Sequence, residues 1–210
     1  GANAYATGAV ATAVANVGTG IKQDSLAIGG TAAIGSNELT NTGEINIFAV
    51  AVADGTVTNQ FPGGEAALAQ AFIDNGIVQD ANGAAKSGTG TGVNSLVNGG
   101  DIMVVGDARA AAVGFTVDGT TTLGDARASA RINGTAILQS AEGNDVIGIP
   151  GVGGFPNVES HARNSLTNTG SIAILADADA EGAEADAYAF IANGVVQQAA
   201  AAAFDLAYAT

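Results

Sequence analysis

The sequence predicts an all-β fold, a parallel β-solenoid (β-helix) of about seven coils with a thin core lined by Ala, Val and Ile. Three observations predict it. A polar phrase that reads as a turn followed by a strand recurs along the chain. Runs of alternating Ala recur between its copies, and the composition is rich in small residues, with 31 Gly among 210 residues. A phrase repeated at long intervals is typical of repeat architectures, in which stacked units share one continuous core.

The first phrase places an Asn and a Gly in a turn ahead of a strand. Its copies occupy 37–47, 94–104 and 164–174, and each reads Asn-x-Leu-x-Asn-x-Gly followed by alternating apolar residues. Gly and Asn are favoured where a tight turn needs a positive φ. We therefore expect structural turn positions at Asn41, Asn98 and Asn168 and at Gly43, Gly100 and Gly170.

The second phrase alternates Ala with other residues and ends in an aliphatic residue, a Gly and a Gln. Its copies place Ala at 11, 13 and 15, at 67, 69 and 71, at 126, 128 and 130, and at 185, 187 and 189. Because β-branched and charged residues fill the intervening positions, the strict period of two predicts half-buried strands. Ala is also the best helix former. A helix is therefore an alternative for 65–76 taken alone, which the equivalent stretches argue against, and for 199–203.

The spacing of the phrases predicts the number of coils. The Gln residues that end the second phrase stand at 23, 79, 139 and 197, and the glycines of the two phrases alternate along the chain. Each step between successive glycines has the length of one solenoid coil, so each long repeat is expected to hold two coils. Seven coils stacked as in any sheet would make a rod about 34 Å long. Besides the three turn glycines above, this reading assigns coil corners to Gly76, Gly134 and Gly194.

The repeats predict a single solenoid domain over 1–210. Its long repeats run roughly over 1–35, 36–93, 94–163 and 164–210. The third is lengthened by a predicted surface loop at 142–161, which carries Pro150 and Pro156 among several Gly. Both ends of the chain lie within the alternating pattern, so we expect the chain to be cut from something longer.

Composition excludes several classes of function. The chain has no Cys, which removes disulfides and thiolate metal sites. A net charge of −14 argues against binding nucleic acid, which requires Lys and Arg to displace counterions. Six basic residues are too few for a basic membrane-binding face, and no apolar run is long enough to span a membrane. We therefore expect no nucleic-acid partner and no membrane insertion.

The repeated amides have two interpretations. Asn41, Asn98 and Asn168 could bind a ligand or metal, or they could stack from coil to coil into an amide ladder. The same choice applies to Gln23, Gln79, Gln139 and Gln197. Stacked identical amides hydrogen-bond along the stacking direction in cross-β structures. We favour the ladder, with each amide at a coil corner.

The densest charge lies between 177 and 186. Asp177, Asp179 and Glu181 share one face of a predicted strand, a pattern that could bind Ca²⁺, the one candidate cofactor, or supply paired catalytic carboxylates. A solvated outer face is the favoured interpretation. Aligning the repeats sets Asp177 over Asp107, Asp179 over Arg109 and Asp186 over Arg127, which partly compensates the charge. His161, the only histidine, is expected on the surface of the loop.

The two phrases, with Ala-rich strands between them, resemble the repetitive β-solenoid regions of large bacterial surface proteins. Autotransporter passengers and filamentous-haemagglutinin-type adhesins are the nearest families. The resemblance covers most of the chain outside 142–161. It implies an exported, extracellular or cell-surface protein without enzymatic activity that serves adhesion, aggregation or fibre formation. Carbohydrate or a host surface is a possible partner by this resemblance.

The sequence therefore predicts a non-enzymatic structural repeat protein with no catalytic residues. We expect copies to stack head to tail into an extracellular filament through Gly1–Val17 and Val195–Thr210, because open sheet edges invite pairing. One alternative is a monomeric stalk segment of an adhesin or autotransporter passenger. A second is a polysaccharide-active β-helix enzyme, which would need carboxylates and a Lys or Arg converging on one groove.

Overall fold

The fold is a parallel β-solenoid. The structure, a computed structural model, describes residues 1–57, 65–86, 88–117, 120–122, 124–145, 159–203 and 206–210. Strands are the only regular elements of these residues, and they form three four-stranded parallel sheets and one short antiparallel hairpin. The predicted fold class is confirmed, and the helical alternatives at 65–76 and 199–203 are wrong where the chain is described, because strands occupy both.

The chain visits the three sheets in a fixed order and repeats the circuit. Sheet A contains β1 (Ala2–Gly8), β4 (Glu44–Thr56), β7 (Asp101–Val113) and β12 (Ser171–Glu181). Sheet B contains β2 (Ala11–Gly29), β5 (Glu65–Ala85), β10 (Asp125–Asp145) and β13 (Ala185–Ala202). Sheet C contains β3 (Ala32–Asn41), β6 (Thr89–Asn98), β11 (Glu159–Asn168) and β14 (Leu206–Ala209). The hairpin of β8 (Phe115–Val117) and β9 (Thr120–Thr122) lies between β7 and β10 in the chain.

One strand from each sheet makes a rung, and each sheet has four strands, so these residues form four coils. The expectation of seven is wrong. Gly76, Gly134 and Gly194 do not mark coil corners but lie inside β5, β10 and β13. Both phrases therefore belong to one long coil. Four coils stacked as in any sheet make a rod about 19 Å long, rather than the 34 Å expected for seven.

Sheet B forms one long wall, and sheets A and C together form the wall opposite. Strands of sheet B contact strands of both other sheets. Near the middle of sheet B, a Cβ atom built at Gly76 would lie 3.0 Å from Cγ2 of Val104 in sheet A. Beyond this point sheet B faces sheet C, where a Cβ at Gly83 would overlap the backbone carbonyl of Thr91. The glycines inside sheet B thus allow its long strands to meet two different sheets at close approach.

The core consists of small side chains because the walls approach closely. Ala67, Ala69 and Ala71 of β5 are fully buried, and so are Ile73 and Ile132. The alternation read from the sequence places these residues inward and their neighbours outward. A flat, narrow interior leaves no room for aromatic side chains, which explains why Ala dominates the inner rows.

The register joins equivalent residues of successive repeats. Asp177 pairs with Asp107, Asp179 with Arg109, and Asp186 with Arg127, as predicted. β10 carries one more residue than its neighbours between Ile132 and Ile137, where the pairing shifts. This extra residue lengthens the step from Gln79 to Gln139 by one and shortens the step from Gln139 to Gln197 by one.

Both ends of the segment 142–161, predicted as a surface loop, are strands. β10 continues through Glu142 to Asp145, and β11 begins at Glu159, so both ends of the predicted loop belong to paired strands. Pro150 and Pro156 lie outside the described residues. His161 is therefore a strand residue rather than a loop residue.

Candidate functional site: amide ladders and end rungs

The four glutamines of the second phrase stack into one continuous ladder. Nε2 of Gln79 donates to Oε1 of Gln23 at 2.8 Å, Nε2 of Gln139 donates to Gln79 at 2.8 Å, and Nε2 of Gln197 donates to Gln139 at 2.6 Å. Gln79 and Gln139 are 0% and 1% exposed. These residues lie inside sheet B strands and point into the interior, not at coil corners as expected.

Three of the four glutamines also tie sheet B to sheet C. Nε2 of Gln23 donates to the backbone carbonyl of Glu38 at 2.9 Å, and Nε2 of Gln79 and of Gln139 donate to the carbonyls of Ser95 and Ser165 at 3.0 Å. A buried carboxamide is costly unless its polar atoms are paired. Each of these amides is hydrogen-bonded to a glutamine of a neighbouring rung along the stack and to a sheet C carbonyl across the interior.

The second ladder runs along the turn from sheet C to sheet A. Nδ2 of Asn41 donates to Oδ1 of Asn98 at 2.7 Å, and Nδ2 of Asn98 donates to Oδ1 of Asn168 at 2.7 Å. Nδ2 of Asn98 also donates to the backbone carbonyl of Ser171 at 2.9 Å. These asparagines therefore hold the turn of one rung against the first strand residues of the next.

A third ladder was missed in the sequence. Nδ2 of Asn37 donates to Oδ1 of Asn94 at 3.0 Å, and Nδ2 of Asn94 donates to Oδ1 of Asn164 at 2.9 Å. The same atoms donate to backbone carbonyls of sheet B, those of Asp80 and Ser140. The signal was present, because these residues open each copy of the first phrase and share the spacing of the other asparagines.

At Gly100 and Gly170 glycine is required for space rather than for a positive φ, whereas a Cβ at Gly43 would meet no atom within 4 Å. Among the described glycines, Gly8 is the residue with a positive φ, at 145°. A Cβ at Gly100 would overlap the carbonyl oxygen of Gly43, and a Cβ at Gly170 would overlap that of Gly100. The expectation of positive φ at these turns is therefore wrong, because close stacking of successive turns is what excludes a side chain.

The acidic residues form an outward-facing row. Asp177, Asp179 and Glu181 are spaced two apart on β12, about 6.6 Å from one to the next along the strand. Among the described residues, no group of three or more His, Cys, Asp or Glu side chains is placed to hold a metal ion. Ca²⁺ needs six to eight oxygen atoms within 2.3–2.6 Å, and an extended strand holds these carboxylates apart. The described residues therefore do not gather these three carboxylates around one point.

Neighbouring basic residues compensate part of this charge. Nε of Arg109 lies 3.1 Å from Oδ1 of Asp107, and the hydrogen bond and charge of Asp107 raise the pKa of Arg109. Nε of Arg127 lies 3.5 Å from Oδ2 of Asp186. These pairs are solvent-exposed, so they contribute little to stability.

Aromatic residues on the outer faces pair with each other and with Arg. The guanidinium of Arg131 lies 4.8 Å from the ring centre of Tyr188, and Tyr188 stacks on Phe190. His161 stacks on Tyr208, with ring centres 5.2 Å apart, and its Nε2 is 3.3 Å from Oε2 of Glu159. His161 thus lies on β11 beside Glu159 of the same strand and beside Tyr208 of the next rung, which is distant in sequence.

The two end rungs differ in how their inner rows are covered. Ala11, Ala13 and Ala15 of the first rung are buried, because β4 of the next rung packs over β2. The equivalent Ala185, Ala187 and Ala189 of the fourth rung are exposed. Ile191 is 39% exposed, whereas its register partner Ile132 is fully buried. The inner row of the fourth rung therefore packs against β12 of its own rung, as that of the first rung packs against β1, but it has no following sheet A strand on its other side.

No known protein family, curated protein or solved structure matches the chain. Among the described residues no helix is long and apolar enough to cross a membrane.

Proposed function

We propose that this chain is a non-enzymatic structural protein whose copies stack end to end through their end rungs. The observation that carries the proposal is the exposed inner row of β13. In the first three rungs this row is core, and in the fourth it is open. Apolar rows of this kind are stabilised when a partner covers them.

The open edges of the sheets support the same proposal. β1, β2 and β3 form one edge, and β12, β13 and β14 form the other. Edge strands carry unpaired backbone groups that a further parallel strand satisfies. The predicted contact segments, Gly1–Val17 and Val195–Thr210, fall within or beside these edge strands.

We place this activity at the cell surface or in the extracellular matrix. The support is the resemblance of the two phrases to β-solenoid regions of bacterial surface proteins, and an adhesive role toward carbohydrate or a host surface belongs to the same proposal. Self-stacking is the part that a purified chain tests directly.

The first test compares the wild-type chain with Ala187→Lys. Ala187 lies on the exposed inner row, so the variant should leave the single chain folded while placing a charge in the buried part of the joint. We expect the wild type to form filaments with a repeat near 4.8 Å in electron microscopy, and we expect Ala187→Lys to remain monomeric by light scattering. Loss of filaments in EDTA would indicate that assembly requires calcium.

The matched control is Ala200→Lys, which adds the same charge on the outward face of the same strand, beside Glu142. It should assemble as the wild type does. A wild-type chain that stays monomeric under all conditions would overturn the proposal and favour a monomeric stalk segment. Equal assembly of both variants would show that the inner row of β13 is not a contact.

A further inference from the structure

We infer that the joint between two copies is polar and in register, with β1 and β2 of one copy continuing sheets A and B from β12 and β13 of another, and with the glutamine ladder running through the joint. This inference rests on the proposed stacking and specifies its partner surface. Three observations carry it: the direction of the ladder, the distribution of charge on the end rungs, and the register of the strands.

The direction of the glutamine ladder is set by the opposite wall. Nε2 of Gln23, Gln79 and Gln139 each donates to a backbone carbonyl of sheet C, which can only accept. Exchanging Nε2 and Oε1 of such a glutamine would place Oε1 against the carbonyl oxygen of sheet C, so the orientation of the amide is fixed. Every ladder bond then donates toward the first rung.

The two ends of this ladder are complementary. Oε1 of Gln197 is the acceptor at the fourth rung, and Nε2 of Gln23 has a second N–H at the first rung. A second copy that places its Gln23 on Gln197 repeats the bond made between Gln79 and Gln23. Two first rungs placed together would set donor against donor.

The charges of the end rungs favour the same polarity. The outer face of the fourth rung carries Asp177, Asp179, Glu181 and Asp186, whereas the first rung presents Asn3, Tyr5 and Thr7 on β1. Two fourth rungs facing each other would bring like charges together, which is destabilising for directly opposed strand residues. A fourth rung facing a first rung sets these carboxylates beside neutral side chains.

The register follows from the pairing inside the chain. Ala2 pairs with Ala49, Ala49 with Gly106, and Gly106 with Ala176, so the next Ala2 belongs beside Ala176. In sheet B, Val14 pairs with Gln70, Gln70 with Ser129, and Ser129 with Tyr188. In this register β1 of the second copy is the missing sheet A strand, and its Ala2, Ala4 and Ala6 cover the open row of β13.

Cysteine cross-linking tests the register, since the chain has no native Cys. The double variant Val14→Cys/Tyr188→Cys places both thiols on the outer face, where both residues are 50% exposed. In the inferred joint their Cα atoms lie about 4.8 Å apart, within the range that a disulfide spans. Oxidation of assembled protein should give a ladder of covalent multimers on a non-reducing gel.

The matched control is Val14→Cys/Phe190→Cys, in which the thiols are offset by two residues. Their Cα atoms would be about 8 Å apart, beyond disulfide reach. We expect at least about tenfold less covalent multimer from this pair. Each single variant, Val14→Cys or Tyr188→Cys, should remain without a covalent partner.

The outcomes separate this inference from the proposed function. Assembled protein in which a single variant forms disulfide dimers, or in which the offset pair links best, would overturn the polar register and leave end-to-end stacking intact. Absence of assembly in the wild type would overturn both. Covalent multimers from the Val14–Tyr188 pair alone support both.

Discussion

Individual side chains supply the hydrogen bonds that polar groups in the interior of this narrow solenoid require. Gln79 and Gln139 are buried polar side chains in a region where sheets B and C meet at backbone distance. Each donates one hydrogen bond along the stack and one across it, and its Oε1 accepts a third from the glutamine of the next rung. A fully paired amide network of this kind specifies one register of the walls, because a shift by one residue would leave every amide unpaired.

The glutamine ladder predicts the effect of Gln139→Leu. Leu has a similar volume but cannot form hydrogen bonds. The carbonyl of Ser165 and the side-chain amides of Gln79 and Gln197 would each lose the bond that they make with Gln139. We expect the free energy of unfolding to fall by about 2–4 kcal/mol, measured by urea denaturation of the monomeric form. Gln197→Leu, at the exposed end of the same ladder, removes only the donor to Oε1 of Gln139 and should cost less, about 1 kcal/mol. Equal losses would contradict a role for burial of the ladder.

At the scale of elements, the turn from sheet C to sheet A depends on stacking rather than on local conformation. Gly43, Gly100 and Gly170 occupy the same position in successive turns, and each later glycine lies against the carbonyl of the turn before it. Asn41 and Asn98 hold these turns together from inside. The turn is therefore a tertiary feature, since its sequence requirement comes from the neighbouring rung.

This stacking predicts different outcomes for one substitution in two rungs. Gly100→Ala should lower the free energy of unfolding by about 1–3 kcal/mol, because the new methyl group would overlap the carbonyl of Gly43 and the turn must shift. Gly43→Ala, with no atom within 4 Å of the added Cβ, should change it by less than about 0.5 kcal/mol. Thermal and urea unfolding of both variants test this. Similar losses would place the requirement in the conformation of the turn itself.

At the scale of the whole molecule, the described residues form a stack of four rungs in which each rung contacts its neighbours. Stability in such an array is a sum of rung and interface terms, so the end rungs are protected from one side only. The fourth rung loses further support because its inner row is open. Stacking of a second copy would supply the missing interface to both ends at once.

Hydrogen exchange measures this gradient. In monomeric protein we expect amides of β5 and β6 in the second rung to exchange more slowly than those of β1 and β14, because end strands open without breaking the middle of the stack. On assembly, protection should rise in β1 and β13. Uniform exchange along the chain would indicate that all four rungs open together, and unchanged protection of β1 and β13 in assembled protein would contradict the proposed contacts.

Much of this architecture was determined by the sequence itself. A period of two separates inward from outward residues, so strands and inner rows follow from Ala11 to Val17 and its equivalents. Repeated phrases align equivalent residues, so the pairs Asp179–Arg109 and Asp186–Arg127 and the stacking of Gln23, Gln79, Gln139 and Gln197 also follow. These features are local patterns or repeats of them, and they need no knowledge of what lies across the core.

The tertiary structure alone decided the size of the coil, the place of the glutamines and the difference between the two ends. Gly76 has the same local sequence signal whether it turns a corner or bends a strand, and the choice depends on Val104 packing against it from the opposite wall. Ile191 is likewise more exposed than its register partner Ile132, because an inner row is fully covered only when a sheet A strand of the following rung packs on it. Both features are contacts between residues far apart in the chain, which alternation and spacing do not encode.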